Sequence, residues 1–209
     1  YTRSDQAARI DDVLAQLGIA KAVIVGHSFG AGAATEYALR FPGRVRGLIL
    51  VDAALGLTSP PTDAPPLLRP KWIRELLVSL TVTNPLATRT LLRQLIARKE
   101  AADPQTVAIL QAPLALRQST ADVADWLLYF TGADREARSA DRKSMAAIAV
   151  PTALIWGDSD TVTPLVQAND LQQLVPAAKL TVLPGLGHIP QIEDPPAFNR
   201  ALLAALGTM

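Results

Sequence analysis

The chain has 209 residues, 49% of them hydrophobic, and sets 20 Lys and Arg against 19 Asp and Glu. That length supports one domain with a sizeable core, and the balanced charge, with no run of one sign, argues against nucleic acid or an anionic membrane surface as a partner. The lack of cysteine excludes a disulfide scaffold, thiolate chemistry and a thiolate-held metal while leaving the compartment open. No stretch reads as a membrane span or a signal peptide, a small, mostly apolar molecule is the expected ligand, and no cofactor or metal is expected.

Residues 4–17, SDQAARIDDVLAQL, place Ala7, Ile10, Val13, Leu14 and Leu17 at helical spacing, with Ser4 as N-cap and Gly18 as the stop. Next, the apolar run Ala22-Val23-Ile24-Val25 ends at Gly26-His27-Ser28-Phe29-Gly30 and passes straight into an Ala-rich helical segment. Strand, very tight turn and helix in that order are the context of a nucleophile elbow, whose turn strains the serine backbone and lifts the hydroxyl out at the top of a sheet. Side chains at positions 26 and 30 are expected to collide with the neighbouring strand and helix, hence glycine at both. Ser28 is the candidate nucleophile, against the plainer reading of a turn serine. The Phe29 N–H, at the positive end of the helix, is a candidate donor to an oxyanion.

The helix ends near Phe41-Pro42-Gly43, and residues 44–52, RVRGLILVD, form a second buried strand, so the two strands and their helix imply a parallel sheet. Residues 57–70, LTSPPTDAPPLLRP, hold five prolines in fourteen residues and read as a linker. Helical patterning follows at 71–80, 85–102, 104–110, 121–130 and 135–147, which makes 57–147 an insertion suited to cap a site at the strand tips. Strands return at 151–157 and 179–183, with helices near 164–174 and 196–206. The expected organisation is a core at 1–56 and 148–209, interrupted by the cap.

A serine hydroxyl needs a base within hydrogen-bond reach and a carboxylate to orient that base. Of the two histidines, His27 adjoins Ser28 and should point away from it as a packed or pocket-wall residue. That leaves His188, in the loop LPGLGH after the last strand, as the base. Asp160, in Gly157-Asp158-Ser159-Asp160 at a strand tip, is the chosen acid. Asp158 reads as a turn residue, and Asp52, also at a strand tip, is the rival acid.

The stretches VIVGHSFGAGAATEYALRFPGRVRGLILVD, PTALIWGDSDTVTP and LPGLGHIPQIEDPPAFNRALLAAL resemble the α/β-hydrolase superfamily in its capped, lipase- and esterase-like branch. The resemblance implies an α/β fold with helices on both faces of a parallel sheet, Ser28 as nucleophile, Asp160 as acid, His188 as base and Phe29 N–H in the oxyanion hole. Serine at the nucleophile position argues against the epoxide hydrolase and haloalkane dehalogenase relatives, which use aspartate there. The expected activity is hydrolysis of an ester or related acyl compound, with C–C bond hydrolysis as runner-up, lactonase or perhydrolase chemistry on the same triad, and a non-catalytic ligand sensor as the reading from another class. Trp72, Trp126, Tyr129 and Phe130 are candidate pocket aromatics, with helix core as the competing role. Only four core strands are legible, the His-Gly oxyanion motif of the family is missing, and the chain starts at Tyr1. These features lead to the expectation of a C-terminal part of a larger hydrolase, partnered by the N-terminal part of its own precursor.

Overall fold

The computed structural model describes residues 1–57, 63–131, 134 and 136–209. Its frame is four parallel strands lying side by side in chain order: β1 (Ala22–His27), β2 (Val45–Val51), β3 (Thr152–Gly157) and β4 (Lys179–Leu183). β2 and β3 are apolar nearly throughout because both their faces are covered. On one face Leu48, Leu50, Leu154 and Trp156 pack with Ala31, Ala34 and Tyr37 of α2 (Gly30–Arg40) and with Ala168 and Leu171 of α8 (Leu165–Leu174). On the other, Ile49, Val51, Ala153 and Ile155 meet Phe198 and Ala201 of α10 (Pro195–Leu206). β1 pairs on one side only among the described residues, and Val25 is left 48% exposed.

The first helix, α1 (Arg3–Gln16), buries Ala7 against the same core. It starts earlier than Ser4. Thr2 is the cap, its hydroxyl accepting from Asp5 N–H while the Asp5 carboxylate accepts from Thr2 N–H, a reciprocal box that Ser4 has no acidic partner to form. Ser4 lies inside the helix and accepts a hydrogen bond from Arg40.

Between β2 and β3 the chain builds α3 (Lys71–Leu80), α4 (Thr88–Leu95), α5 (Pro104–Leu114), α6 (Ser119–Thr131) and the single turn α7 (Arg142–Met145). Of the proline-rich stretch, residues 58–62 lie outside the described ones. Its end is tied down by the buried Arg74, whose guanidinium donates to the Leu68, Arg69 and Ala124 carbonyls and to Asp125.

Two expected helices are interrupted. That expected over 85–102 stops at Leu95, because Ile96 turns extended and the N–H groups of Ala97 and Arg98 are drawn to the Glu193 carboxylate at 2.7 and 2.9 Å. The one expected over 135–147, whose first residue is outside the described set, is reduced to a 3₁₀ turn at Arg138–Ala140 followed by α7. There the buried Glu36 takes the Ser139 N–H at 2.8 Å, and Asp141 caps a new start. In both places a distant carboxylate outcompetes the local i to i+4 pattern.

Candidate active site

β1 runs into α2 through two residues, Ser28 and Phe29. Ser28 sits at φ +51°, a left-handed conformation that costs a residue with a side chain about 1–2 kcal/mol. The turn is held by hydrogen bonds from Ser28 N–H to the Val51 carbonyl and from the Ala31 and Ala54 N–H groups to the Ser28 carbonyl, all within 3.1 Å. Gly26 is required sterically, since a Cβ there would lie 2.6 Å from Ala31 Cα and 2.7 Å from Ala34 Cβ. Gly30 departs from the expectation: it is exposed, and a Cβ would meet nothing within 4 Å, because the first residue of α2 faces open space. Phe29 is the N-cap of α2 and makes no side-chain cap, so backbone N–H groups open this helix.

The tips of two further strands, β3 and β4, bring the other groups to Ser28. His188, on the loop after β4, lies with Nε2 2.7 Å from Ser28 Oγ and Nδ1 2.8 Å from Asp160 Oδ2. Asp160, on the loop after β3, also accepts from Val162 N–H and Thr163 N–H at Oδ1 and from the Thr163 hydroxyl at Oδ2. Burial pushes the Asp160 carboxyl up, but the hydrogen bonds from His188 and Thr163 outweigh it and hold the group below the ordinary carboxylate value. An ionised Asp160 only accepts, so His188 carries its proton on Nδ1 and presents a bare Nε2 to the Ser28 hydroxyl. Such a chain lets a hydroxyl pass its proton to the imidazole as it attacks.

The remaining candidates are sorted by their contacts. Asp52 is fully buried at the tip of β2, at φ +42°, and accepts Gly157 N–H at 2.9 Å; no hydrogen bond joins it to His188 among the described residues. Burial pushes its carboxyl up to about 9. Asp158 Oδ1 accepts from Gly185 N–H and the Ser159 hydroxyl. His27 turns to His188 rather than to Ser28: its Nε2–H donates to the His188 carbonyl at 2.7 Å, and burial lowers its affinity for a second proton.

Two residues that the sequence reading passed over shape the site. Thr163, three residues after Asp160, has its own carbonyl gripped by the buried Trp156 indole N–H at 2.7 Å, which fixes the acid loop. Glu193, five residues after His188 in α9 (Pro190–Glu193), gathers the N–H groups of Gly187 and Ile189 from the base loop and of Ala97 and Arg98 from the insertion. His188 N–H adds a bond to the Leu95 carbonyl. The signals were present as Asp-x-x-Thr, a side-chain turn pattern, and as an acid five residues beyond His188.

Of the four candidate aromatics, two face the elbow. Trp126 and Phe130 of α6 stack at 4.8 Å and pack on the Phe29 ring at 5.1 and 5.7 Å. Tyr129 instead meets Tyr1, and Trp72 is 66% exposed. Among the described residues no cluster of His, Cys, Asp and Glu is arranged to hold a metal, and no helix is long and apolar enough to cross a membrane.

A family model described as the alpha/beta hydrolase fold matches residues 1–195. The chain belongs to the alpha/beta hydrolase family. This alpha/beta hydrolase is 29% identical over 217 residues to an uncharacterised protein of Mycobacterium tuberculosis, a match covering 95% of this chain and 59% of that protein. It is 31% identical over 205 residues to the 2-hydroxymuconate semialdehyde hydrolase of Pseudomonas putida, with 96% and 67% covered. Its fold is similar to that of a thermophilic esterase from Thermogutta terrifontis, with a TM-score of 0.76 at 21% identity over all of this chain and 73% of that one. The chain spans less than two thirds of the length of the mycobacterial relative, at 59%.

Proposed function

We propose that this alpha/beta hydrolase is a serine hydrolase that cleaves a small, largely apolar ester or related acyl substrate through an acyl-enzyme. Ser28 Oγ attacks the acyl carbon while its proton passes to His188 Nε2, which then hands it to the departing alkoxide. A water molecule next attacks the acyl carbon, gives its proton to His188 and releases the acid, and the proton returns to Ser28. Asp160 holds the imidazole tautomer and stabilises its charged form, and the Phe29 N–H donates to the oxyanion. The observation that carries this reading is the unbroken hydrogen-bonded series Ser28 Oγ, His188 Nε2, His188 Nδ1 and Asp160 Oδ2, with steps of 2.7 and 2.8 Å.

Residues 57–147 act as the cap, with Trp126, Phe130 and Phe29 forming an aromatic wall beside the nucleophile, and residues 1–56 and 148–209 act as the core. The working unit includes further strands, supplied by the N-terminal part of the same precursor, paired with the edge of β1 that has no strand partner among the described residues; the exposure of Val25 supports this. A second reading, hydrolysis of a C–C bond in a diketone-like substrate by the same triad, is favoured by the 31% identity to 2-hydroxymuconate semialdehyde hydrolase.

A fluorophosphonate probe applied to the full-length protein is expected to label Ser28, and neither Ser28→Ala nor His188→Ala should be labelled at a comparable rate. Labelling that persists in His188→Ala would refute the assigned base. No labelling of the parent, with an apolar ligand still bound, would point to a sensor. Parallel turnover of p-nitrophenyl esters and of a vinylogous diketone then separates the two hydrolase readings.

A further inference from the structure

Asp52 is a buried acid at a strand tip that the proposed triad leaves unused. It is 0% exposed, it has one hydrogen-bond donor, Gly157 N–H on Oδ1, and its Oδ2 is buried without a donor among the described residues. No Lys, Arg or His forms an ion pair with it among those residues. The charges that act on its carboxyl are both negative, those of Asp160 and of Glu193 in α9. His188 points its Nδ1 at Asp160 instead. The Thr163 hydroxyl donates to Asp160 Oδ2 at 2.5 Å and lies 3.2 Å from the main-chain carbonyl of Asp52, which ties the Asp52 backbone to the acid of the proposed triad.

Two neighbouring buried carboxyls do not both ionise unless each has its own donors. Here the donors are unequally divided. Asp160 receives Val162 N–H, Thr163 N–H, the Thr163 hydroxyl and His188 Nδ1–H, whereas among the described residues Asp52 receives Gly157 N–H alone. The negative charge therefore belongs on Asp160 and the proton on Asp52. We propose that Asp52 is a positioning residue that stays protonated at neutral pH, with its Oδ2–H turned to the Asp160 carboxylate so that the acid is held against His188 and the site carries its charge in one place. The effect of burial on the Asp52 carboxyl points the same way. The proton also accounts for the orphaned oxygen: as an O–H, Oδ2 needs an acceptor, and Asp160, whose Oδ2 is linked to the Asp52 main-chain carbonyl through the Thr163 hydroxyl, is the neighbouring acid. An ionised Asp52 would instead oppose the charge that Asp160 must keep.

The role in turnover rests on the serine hydrolase reading above, whereas the protonation state does not. Infrared difference spectra of the full chain at neutral pH, parent against Asp52→Asn, are expected to show the C=O stretch of a neutral carboxylic acid in the parent and its loss in the variant. The amide of Asn can still accept from Gly157 and donate to Asp160, so Asp52→Asn is expected to keep kcat within about fivefold, while Asp52→Leu, which can do neither, loses about 10–100-fold in kcat with KM little changed, as expected of a misplaced catalytic group. A fall of about 10⁴ in Asp52→Asn, the loss seen when a triad carboxylate is neutralised, would make Asp52 the charged acid and overturn the proposal. So would the absence of the band at neutral pH. The band and the Asn variant decide the matter even where Asp52→Leu does not fold, and a band present in a protein whose Ser28→Ala variant keeps full activity would separate a wrong functional reading from a wrong protonation state.

Discussion

Glu193→Gln tests whether one carboxylate locks the base loop to the insertion. In the parent, Oε2 accepts from Ala97, Arg98 and Gly187 N–H at 2.7, 2.9 and 3.0 Å, and Oε1 accepts from Gly187 and Ile189 at 2.9 and 3.3 Å. Glutamine offers one acceptor oxygen and one NH₂, so in either orientation the NH₂ is set against N–H groups that have no acceptor. Losing one or two charge-assisted hydrogen bonds in a side chain only 7% exposed should cost about 2–4 kcal/mol, which lowers Tm by roughly 5–12 °C in a chain of this size. A total stability of about 5–15 kcal/mol leaves the variant folded, so turnover can be measured. Because the released loop carries His188, kcat on a short p-nitrophenyl ester is expected to fall about tenfold or more, with KM changing less. Gly187→Ala reaches the same end without altering charge, since its Cβ would lie 2.6 Å from Ala97 N. Circular dichroism melts and steady-state kinetics provide the readout. Glu193→Gln with the parent's Tm and kcat would show that the carboxylate holds nothing of consequence.

Stability should also depend on pH through the paired acids, with opposite signs on the two sides of pH 4. Asp52, raised to about 9, binds its proton in the folded chain across a range where the unfolded chain has released it, so stability is full below the unfolded value and falls by up to about 1.4 kcal/mol per pH unit as pH rises toward 9. Asp160, held below its ordinary value, contributes stability above the unfolded pKa that is lost as pH falls through the folded one. Urea denaturation at a series of pH values should give a maximum in the mildly acidic range and a flatter alkaline limb in Asp52→Asn; an alkaline limb unchanged by that substitution would refute the assignment. Trp126→Ala removes the ring packed at 5.1 Å on Phe29 and should lower kcat/KM for aryl or long-chain esters about tenfold more than for acetate. An equal loss across the ester series would take α6 away from the substrate.

Those features legible in the sequence were local. Ser28 was readable because strand, turn and helix follow one another within a few residues. His188 emerged because a second histidine was the only alternative, and the structure turns that alternative, His27, to a backbone carbonyl. Asp160 and Asp52 were harder to separate, as both end strands; what distinguishes them is how many donors the folded chain aims at each, a quantity no spacing records. The helix expected over 85–102 failed for the same reason, since Ile96 leaves the helix to serve a carboxylate 96 residues away, at Ala97. Gly30 taught the reverse lesson: its place in a familiar pattern suggested a steric need that the open space around it does not impose.

The position of the insertion, between the neighbouring strands β2 and β3, has a consequence for how the chain finds its fold. β1 and β2 are joined through a single helix, so their pairing closes a short loop, whereas β2 and β3 must meet across everything from Asp52 to Pro151. The entropy of closing a loop grows only with the logarithm of its length, so replacing a minimal connection of about 12 residues with one of about 100 adds roughly 2 kcal/mol. The price is small and does not depend on which residues fill the interval. The β1–α2–β2 unit can therefore form early as a template, with β3 and β4 added later, and the segment between β2 and β3, which we propose as the cap, can be lengthened, shortened or exchanged without re-engineering the sheet.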